Sequence, residues 1–103
     1  MIRVLAMYPQ TEGARFDLDY YVNTHIPMCQ KFAEGLGMVF AVDRGIGTVM
    51  PGAPAPFVAM AVVTAPSLEA LQQYLGENGA AIMGDIPNYT DIQPVFQISE
   101  VVA

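Results

Sequence analysis

The stretch FVAMAVVT at residues 57–64 has the length and the β-branched content of a strand. Successive side chains of a strand point to opposite faces of its sheet. One face of this strand carries Val58, Met60 and Val62. The other face carries Phe57, Ala59, Ala61 and Val63. Because both sets are apolar, the sheet that contains this strand has two faces to bury.

Outward from this strand, the chain predicts three more strands and two helices. The strands fall at residues 2–8, 38–46 and 91–101, and the helices at 18–33 and 68–75. The order β-α-β-β-α-β is the split βαβ arrangement of an α+β protein. We therefore expect a single domain over residues 1–103, with an antiparallel four-stranded sheet and two helices on one face.

The first helix has a start signal, an interruption and a stop. Asp17 is a good N-cap for it. Pro27 lies inside the helix, where it removes a backbone hydrogen bond and clashes with the preceding turn, so we expect a kink around His25. Gly35 and Gly37 are expected to end the helix.

The second helix is predicted to be short. Ser67 is its N-cap, and Gly76 and Gly79 are expected to end or interrupt it. Residues 80–83 could add one more helical turn before a loop over residues 85–89.

Two helices can cover only one face of a four-stranded sheet. The first strand repeats the apolar pattern of the opening stretch, because Ile2, Val4 and Ala6 face one way while Leu5 and Met7 face the other. A second copy of the chain packing on the uncovered apolar face is the simplest way to bury it. The sequence thus predicts a homodimer.

The composition is rich in apolar residues, with 53% hydrophobic and only 14% charged side chains. A membrane span does not account for this, since the uncharged stretch between Arg44 and Glu69 contains four prolines. The N-terminus leads directly into a strand and has no secretory signal pattern. We expect a cytoplasmic protein without a membrane partner.

Charge and cysteine content exclude further classes. The formal net charge is −6, and the four basic side chains are dispersed, so nucleic-acid binding is disfavoured. The single cysteine, Cys29, permits no intrachain disulfide, which suits a reducing compartment.

His25, the only histidine, is the leading candidate for chemistry. Tyr21 precedes it by four residues and shares its helix face. A His and a Tyr that converge on an apolar cleft can act as a general acid/base pair on small organic molecules. The alternative is a structural histidine that bonds a backbone carbonyl freed by the helix interruption.

Cys29 follows His25 by four residues, so a Cys–His thiolate pair is conceivable. A small buried hydrophobe is the alternative interpretation of this cysteine. The sequence predicts no metal site and no cofactor site. One His and one Cys are too few for zinc, and we assign the nearby aspartates Asp17 and Asp19 to the helix start and Asp85 and Asp91 to turns.

The segment NYTD at residues 88–91 places polar groups beside the apolar Ile86, Pro87 and Ile92. Such a segment could roof a pocket and bring Tyr89 to it, or it could be an ordinary packed turn.

Three groups of residues resemble the EthD family over essentially the whole chain. The first is Phe16-Asp17, Tyr20-Tyr21 and His25-Ile26-Pro27, which is similar to the signature of the family's first helix. The others are PGAPAP at 51–56, before the third strand, and IPNYTDIQP at 86–94, before the fourth.

This resemblance implies a dimeric α+β barrel of the ferredoxin-like type, whose cleft between sheet and helices holds the ligand. The family is named for a gene found with a system that degrades ethyl tert-butyl ether. Similar proteins in the wider superfamily include muconolactone isomerases, cofactor-free monooxygenases, polyketide cyclases and haem-dependent peroxidases. Across these proteins, a histidine at the position of His25 is the residue most often given an acid/base role, which the resemblance implies for His25.

Three functions remain open from the sequence. The first is a cofactor-independent enzyme (an isomerase, cyclase or monooxygenase) that acts on a small hydrophobic or aromatic metabolite, with His25 as general acid/base and Tyr21 or Tyr89 as an orienting donor. The second is a non-catalytic binding protein that serves a partner oxygenase. The third is a haem protein with His25 as the proximal ligand.

Overall fold

The computed structural model describes residues 1–103 and has the predicted order of elements. Four strands form the sheet: β1 (Ile2–Pro9), β2 (Val39–Arg44), β3 (Phe57–Ala65) and β4 (Val95–Glu100). The first helical region comprises α1 (Leu18–Tyr20), a π-helical turn (Tyr21–His25) and α2 (Ile26–Phe32). The second comprises α3 (Leu68–Asp85) and a 3-10 turn (Ile86–Asn88). No helix of the structure is long and apolar enough to cross a membrane.

The sheet is fully antiparallel and has the strand order β2-β3-β1-β4, which confirms the predicted fold class. At its centre Ala6 of β1 lies opposite Ala61 of β3 and Phe96 of β4. These side chains line the space beneath the helices, so both helical regions lie on this face. The opposite face carries Leu5 and Val62, which are also paired across the strands. The sheet is therefore apolar on both faces, as the sequence predicts.

Two strands are shorter than predicted. β2 ends at Arg44. At the next position only glycine permits the close approach to β3, because a Cβ atom at Gly45 would lie 2.0 Å from the carbonyl oxygen of Phe57. β4 begins at Val95 rather than at residue 91, since the preceding segment turns inward and buries Ile92 in the core.

The first helical region begins as predicted and accommodates its proline through a π turn. The Asp17 carboxylate accepts a hydrogen bond from the Tyr20 amide and caps the helix. The Ile26 amide donates to the Tyr21 carbonyl five residues back, one residue further than in an α-helix. Pro27, which has no amide hydrogen, follows directly at the start of α2. The predicted interruption around His25 is thus a widened turn that ends at His25.

The prediction of a short second helix over residues 68–75 is wrong, because α3 runs for 18 residues from Leu68 to Asp85. Ser67 caps it as predicted, with its hydroxyl accepting a hydrogen bond from the Ala70 amide. The helix continues through Gly76 and Gly79 because apolar side chains on both sides of the glycines pack over the sheet. These side chains are Leu71, Tyr74, Leu75, Ile82 and Met83. Tertiary packing here outweighs the low helix propensity of glycine.

The core is small and rich in tyrosine. Only 14 of the 103 residues are buried. The largest buried cluster joins β1, the π turn, β3 and the segment after α3, through Tyr8, Tyr21, Ile26, Ala59, Ala61, Tyr89 and Ile92. Aromatic rings from three separate parts of the chain therefore meet beneath the helices, next to the histidine.

Candidate functional site

A cavity of about 270 Å³ lies between the sheet and the helices. Nineteen residues line it, and His25 is the only one of them that is not hydrophobic. Three lining side chains, Met83, Phe96 and Ile98, are between 42% and 52% exposed, so the cavity opens to solvent between α3 and β4. Its position and composition are those of a site for a small apolar ligand.

The π turn places His25 at the wall of this cavity, where the side chain is only 4% exposed. The imidazole stacks on the Tyr21 ring with a centroid distance of 5.6 Å and an interplanar angle of 16°. The Tyr89 ring lies on it at 4.7 Å in a tilted arrangement. Two aromatic rings therefore fix the orientation of the imidazole.

Asp85, the last residue of α3, holds the inner nitrogen of His25. Its Oδ2 atom lies 2.9 Å from His25 Nδ1. Its Oδ1 atom accepts hydrogen bonds from the Tyr20 hydroxyl at 2.7 Å and from the Asn88 side-chain amide at 2.9 Å. Desolvation acts to raise the pKa of Asp85, but hydrogen bonds from Asn88, His25 and Tyr20 outweigh it, so the pKa lies below its ordinary value.

An ionised Asp85 determines the tautomer of a neutral His25. A carboxylate only accepts hydrogen bonds, so the proton of the neutral imidazole must be on Nδ1. The other nitrogen, Nε2, is then a lone-pair acceptor on the side of Cys29, whose Sγ atom lies 3.7 Å away on the cavity wall. This Asp–His arrangement is that of a general base whose orientation is fixed by a carboxylate.

Cys29 has the environment of a buried hydrophobe. Burial raises the pKa of its thiol to about 11, so the thiol stays protonated at neutral pH. Its backbone carbonyl accepts a hydrogen bond from the Tyr74 hydroxyl at 2.9 Å, which ties α2 to α3. The thiol thus shapes the cavity beside His25 and is not an activated nucleophile.

The two tyrosines predicted for the site both contact the His25 ring but differ in their access to the cavity. Tyr21 lines the cavity, and burial raises the pKa of its hydroxyl. Tyr89 is fully buried and does not line the cavity. Its hydroxyl instead lies 2.5 Å from that of Tyr8, a β1 residue that does line the cavity.

The segment over residues 88–91 is a packed turn. The Tyr89 carbonyl accepts from the Asp17 amide at 2.7 Å, and the Thr90 hydroxyl donates to the Arg15 carbonyl at 2.6 Å. The Asp91 carboxylate accepts from the Arg15 amide at 2.8 Å, so it stabilises a turn as predicted. These bonds fix the start of the first helix against the end of the second and so hold His25 next to Asp85.

The structure offers no group of three or more His, Cys, Asp or Glu side chains that could hold a metal ion. The haem hypothesis stays a prediction, for which the cavity offers one imidazole, His25, as a possible iron ligand.

Fold and cavity together define a ferredoxin-like α+β domain, with its candidate site between sheet and helices. The EthD domain model matches residues 10–93. The chain therefore belongs to the EthD family. A search of curated proteins finds no match.

Solved structures support this assignment. An EthD-like protein from Ralstonia eutropha JMP134 is 46% identical, with a TM-score of 0.92 over 99% of this chain and 92% of that one. An ethyl tert-butyl ether degradation (EthD) family protein from Bacillus halodurans C-125 is 25% identical, with a TM-score of 0.69 over 99% of both chains. An antibiotic biosynthesis monooxygenase shares the fold at 14% identity, with a TM-score of 0.51 over the full length of both chains.

Sequence reasoning missed two residues of the site. Asp85 was assigned to a turn, yet it is separated from His25 by 60 positions and bonds its ring. Tyr8 was treated only as part of a strand, although its hydroxyl meets that of Tyr89 from 81 positions away. No local pattern signals either contact, because both depend on how α3 and the following turn pack against β1 and the π turn.

Proposed function

We propose that this EthD-family protein is a cofactor-independent enzyme that moves a proton on a small apolar metabolite in its cavity. The observation that carries the proposal is that His25, whose Nδ1 atom is bonded to Asp85, lines a cavity whose other lining residues are hydrophobic. A carboxylate-oriented imidazole in an apolar site is a suitable general base, since exclusion of water strengthens its interaction with a bound substrate.

The cavity limits the class of substrate. A volume of about 270 Å³ suits a molecule of modest size, and a lining without Asp, Glu, Lys or Arg side chains favours an uncharged one. The name of the Bacillus halodurans relative refers to ethyl tert-butyl ether, which is small, uncharged and carries one oxygen. We therefore place the substrate among small apolar molecules with few oxygens, of the kind handled in degradation pathways.

A non-catalytic binding protein is the second candidate. The observation that favours it is that His25 is the only histidine at the cavity and that no carboxylate side chain lines the cavity to return the proton at a different position. Such a protein would hold a hydrophobic metabolite for a partner oxygenase. It requires the cavity but not the imidazole.

Deuterium exchange distinguishes the two candidates without a known substrate. A panel of small ketones, lactones and phenols is incubated in D₂O with the wild type, and incorporation at acidic C–H positions is followed by proton NMR. If the protein is an enzyme, at least one compound should exchange deuterium faster with the wild type than without protein, and His25→Gln should abolish this acceleration. Binding without exchange in both proteins would support the accessory role.

The matched control is Cys29→Ala, which removes the thiol beside His25 Nε2 without adding a hydrogen-bond donor and leaves the histidine and its carboxylate in place. Its exchange rate should stay within a few-fold of the wild type, because the Cys29 thiol is protonated and carries no step. Since His25 is the only histidine, its ring resonances also report occupancy of the cavity directly. Ligands that bind elsewhere would leave these resonances unchanged.

We also propose that the protein works as a homodimer in the cytoplasm. The side chains of Leu5, Met7, Val58, Met60 and Val62 form an open apolar face on the side of the sheet opposite the helices. The chain exposes 6402 Å², against about 5,700 Å² expected for a monomer of 11.1 kDa. This excess of exposed surface favours the burial of part of it against a partner. The single unpaired cysteine suits a reducing compartment.

A further inference from the structure

We propose that the Tyr8 hydroxyl is the hydrogen-bond donor for an oxygen atom of the ligand, opposite the base His25. This inference rests on the proposed function and deepens it, because it assigns the ligand a carbonyl oxygen. Tyr8 lies on β1, is 2% exposed and lines the cavity. It is therefore a buried residue that brings a hydroxyl group to the wall of a cavity whose lining is almost entirely apolar.

Counting protons shows in which direction the Tyr8 hydroxyl donates. Tyr8 and Tyr89 share one hydrogen bond, with 2.5 Å between their oxygens, but together they carry two hydroxyl protons. Were Tyr8 the donor, the proton of Tyr89 would be left without an acceptor in a fully buried position away from the cavity. A buried donor without a partner is costly. With Tyr89 as the donor, the surplus proton is on Tyr8, where a ligand can accept it.

The electrostatics of the aromatic cluster agree with this direction. Burial raises the pKa of Tyr8, while its hydrogen bond with Tyr89 acts in the opposite direction. For Tyr89, burial and the hydrogen bond with Tyr8 both raise the pKa. A Tyr8 oxygen that accepts the Tyr89 proton has a more polarised O–H bond of its own and is a stronger donor.

Tyr8 and His25 line the same cavity. Both contact the Tyr21 ring, with centroid distances of 5.4 Å from Tyr8 and 5.6 Å from His25. In the proposed complex, a carbonyl compound places its oxygen at Tyr8 and an adjacent C–H group at His25 Nε2. This arrangement suits a small apolar ketone or lactone. A hydrocarbon has no oxygen atom to accept the hydrogen bond from Tyr8.

The resulting step is a balanced proton transfer. His25 Nε2 takes the proton from the carbon beside the carbonyl, and the electron pair of that C–H bond forms the C=C bond of an enolate. The carbonyl π electrons move to the oxygen, whose negative charge is stabilised by the Tyr8 O–H. Return of the proton from Nε2 to a carbon of the enolate regenerates the base, so neither oxidant nor cofactor is consumed.

Two probes of the same shape test the inference: 2-tetralone, which has a carbonyl oxygen, and tetralin, which has none. Their dissociation constants are measured with the wild type, Tyr8→Phe and Tyr74→Phe. Tyr8→Phe should weaken 2-tetralone about tenfold and leave tetralin within about twofold. Tyr74→Phe is the matched control, because Tyr74 also lines the cavity but its hydroxyl is bonded to the Cys29 carbonyl. It should leave the selectivity between the probes unchanged.

Infrared spectroscopy of bound 2-tetralone reads the hydrogen bond directly. The carbonyl stretch should lie at lower wavenumber in the wild type and in Tyr74→Phe than in Tyr8→Phe. If Tyr8→Phe weakens both probes equally, or leaves the carbonyl band unmoved, the inference is overturned while the cavity remains a binding site. If the wild type binds neither probe, the proposed function fails together with it.

Folding of the variant is controlled separately. Tyr8→Phe leaves the buried Tyr89 hydroxyl without its acceptor, so the double variant Tyr8→Phe/Tyr89→Phe is prepared in parallel. Circular dichroism and thermal unfolding establish which of the two is folded. Either variant, once folded, should show the same loss of preference for 2-tetralone over tetralin, and a retained preference would overturn the inference.

Discussion

Asp85 shows at the scale of single residues why composition and spacing could not define the site. Its carboxylate accepts hydrogen bonds from the Tyr20 hydroxyl, the Asn88 side-chain amide and the His25 imidazole, which lie on three different elements. His25 and Tyr21 were predictable, because their spacing and the nearby Pro27 are local features. Asp85 was not, since an aspartate close to a Gly and a Pro is equally typical of a turn.

The first prediction concerns the stability that Asp85 contributes. Asp85→Asn removes the charge that accepts these hydrogen bonds, so the free energy of unfolding should fall by about 1–3 kcal/mol near neutral pH. Because folding lowers the pKa of Asp85, the unfolded state binds the proton more tightly than the folded state. The contribution is therefore complete above the ordinary value of 3.8 and is lost as the pH falls through the lowered pKa.

Urea unfolding of the wild type and Asp85→Asn at about pH 5 and about pH 3 checks this sign. The difference between the two proteins should be smaller at the lower pH. Glu12→Gln, at an exposed carboxylate outside the site, is the control and should track the wild type at both values. A difference that grows on acidification would contradict the role given to Asp85.

At the scale of elements, the two helices show both what the sequence predicts and what packing decides. The interruption of the first helix was predictable, because Pro27 lacks an amide hydrogen wherever it occurs. Its form, a π turn that brings both Tyr21 and His25 inward, depends on the packing of those rings. The length of α3 was not predictable from its glycines, since the apolar side chains on either side of them pack over the cavity.

The second prediction follows from the glycines of α3. A Cβ atom at Gly76 would meet no atom within 4 Å, and the residue lies inside the helix at an exposed position. Gly76→Ala should therefore raise the free energy of unfolding by roughly 0.5–1 kcal/mol, because alanine loses less backbone freedom on folding. Thermal or urea unfolding measures the change.

Gly45→Ala is the contrasting substitution, since its Cβ atom would approach the Phe57 carbonyl to 2.0 Å and displace the end of β2. It should destabilise the protein by roughly 1–3 kcal/mol. If Gly76→Ala destabilised the protein instead, the helix would have to be distorted around that residue.

At the scale of the whole molecule, the alternation of apolar residues in the strands fixes most of the architecture. The element order and the two-faced sheet follow from it, and both are present in the structure. The small number of buried residues has the same origin, because two helices shield one face of the sheet and leave the other open. The cavity was not predictable at this scale, since its volume depends on how far the helices stand from the sheet.

The third prediction is that burial of the open apolar face holds two copies of the chain together. Val62 is at the centre of that face, between Leu5 of β1 and Ala41 of β2. Val62→Glu would place a charge in the interface of a dimer, whereas in a monomer the same carboxylate would reach water. The variant should therefore remain folded but lose self-association.

Sedimentation velocity measures the outcome. The wild type should sediment at about twice the chain mass of 11.1 kDa, and Val62→Glu at the mass of a single chain. Val102→Glu is the matched control, because Val102 lies near the chain end and is 86% exposed, so it should sediment as the wild type does. The prediction is contradicted if the wild type sediments as a monomer or if Val62→Glu stays dimeric. In either case a second copy does not bury this face, and its apolar residues need another explanation.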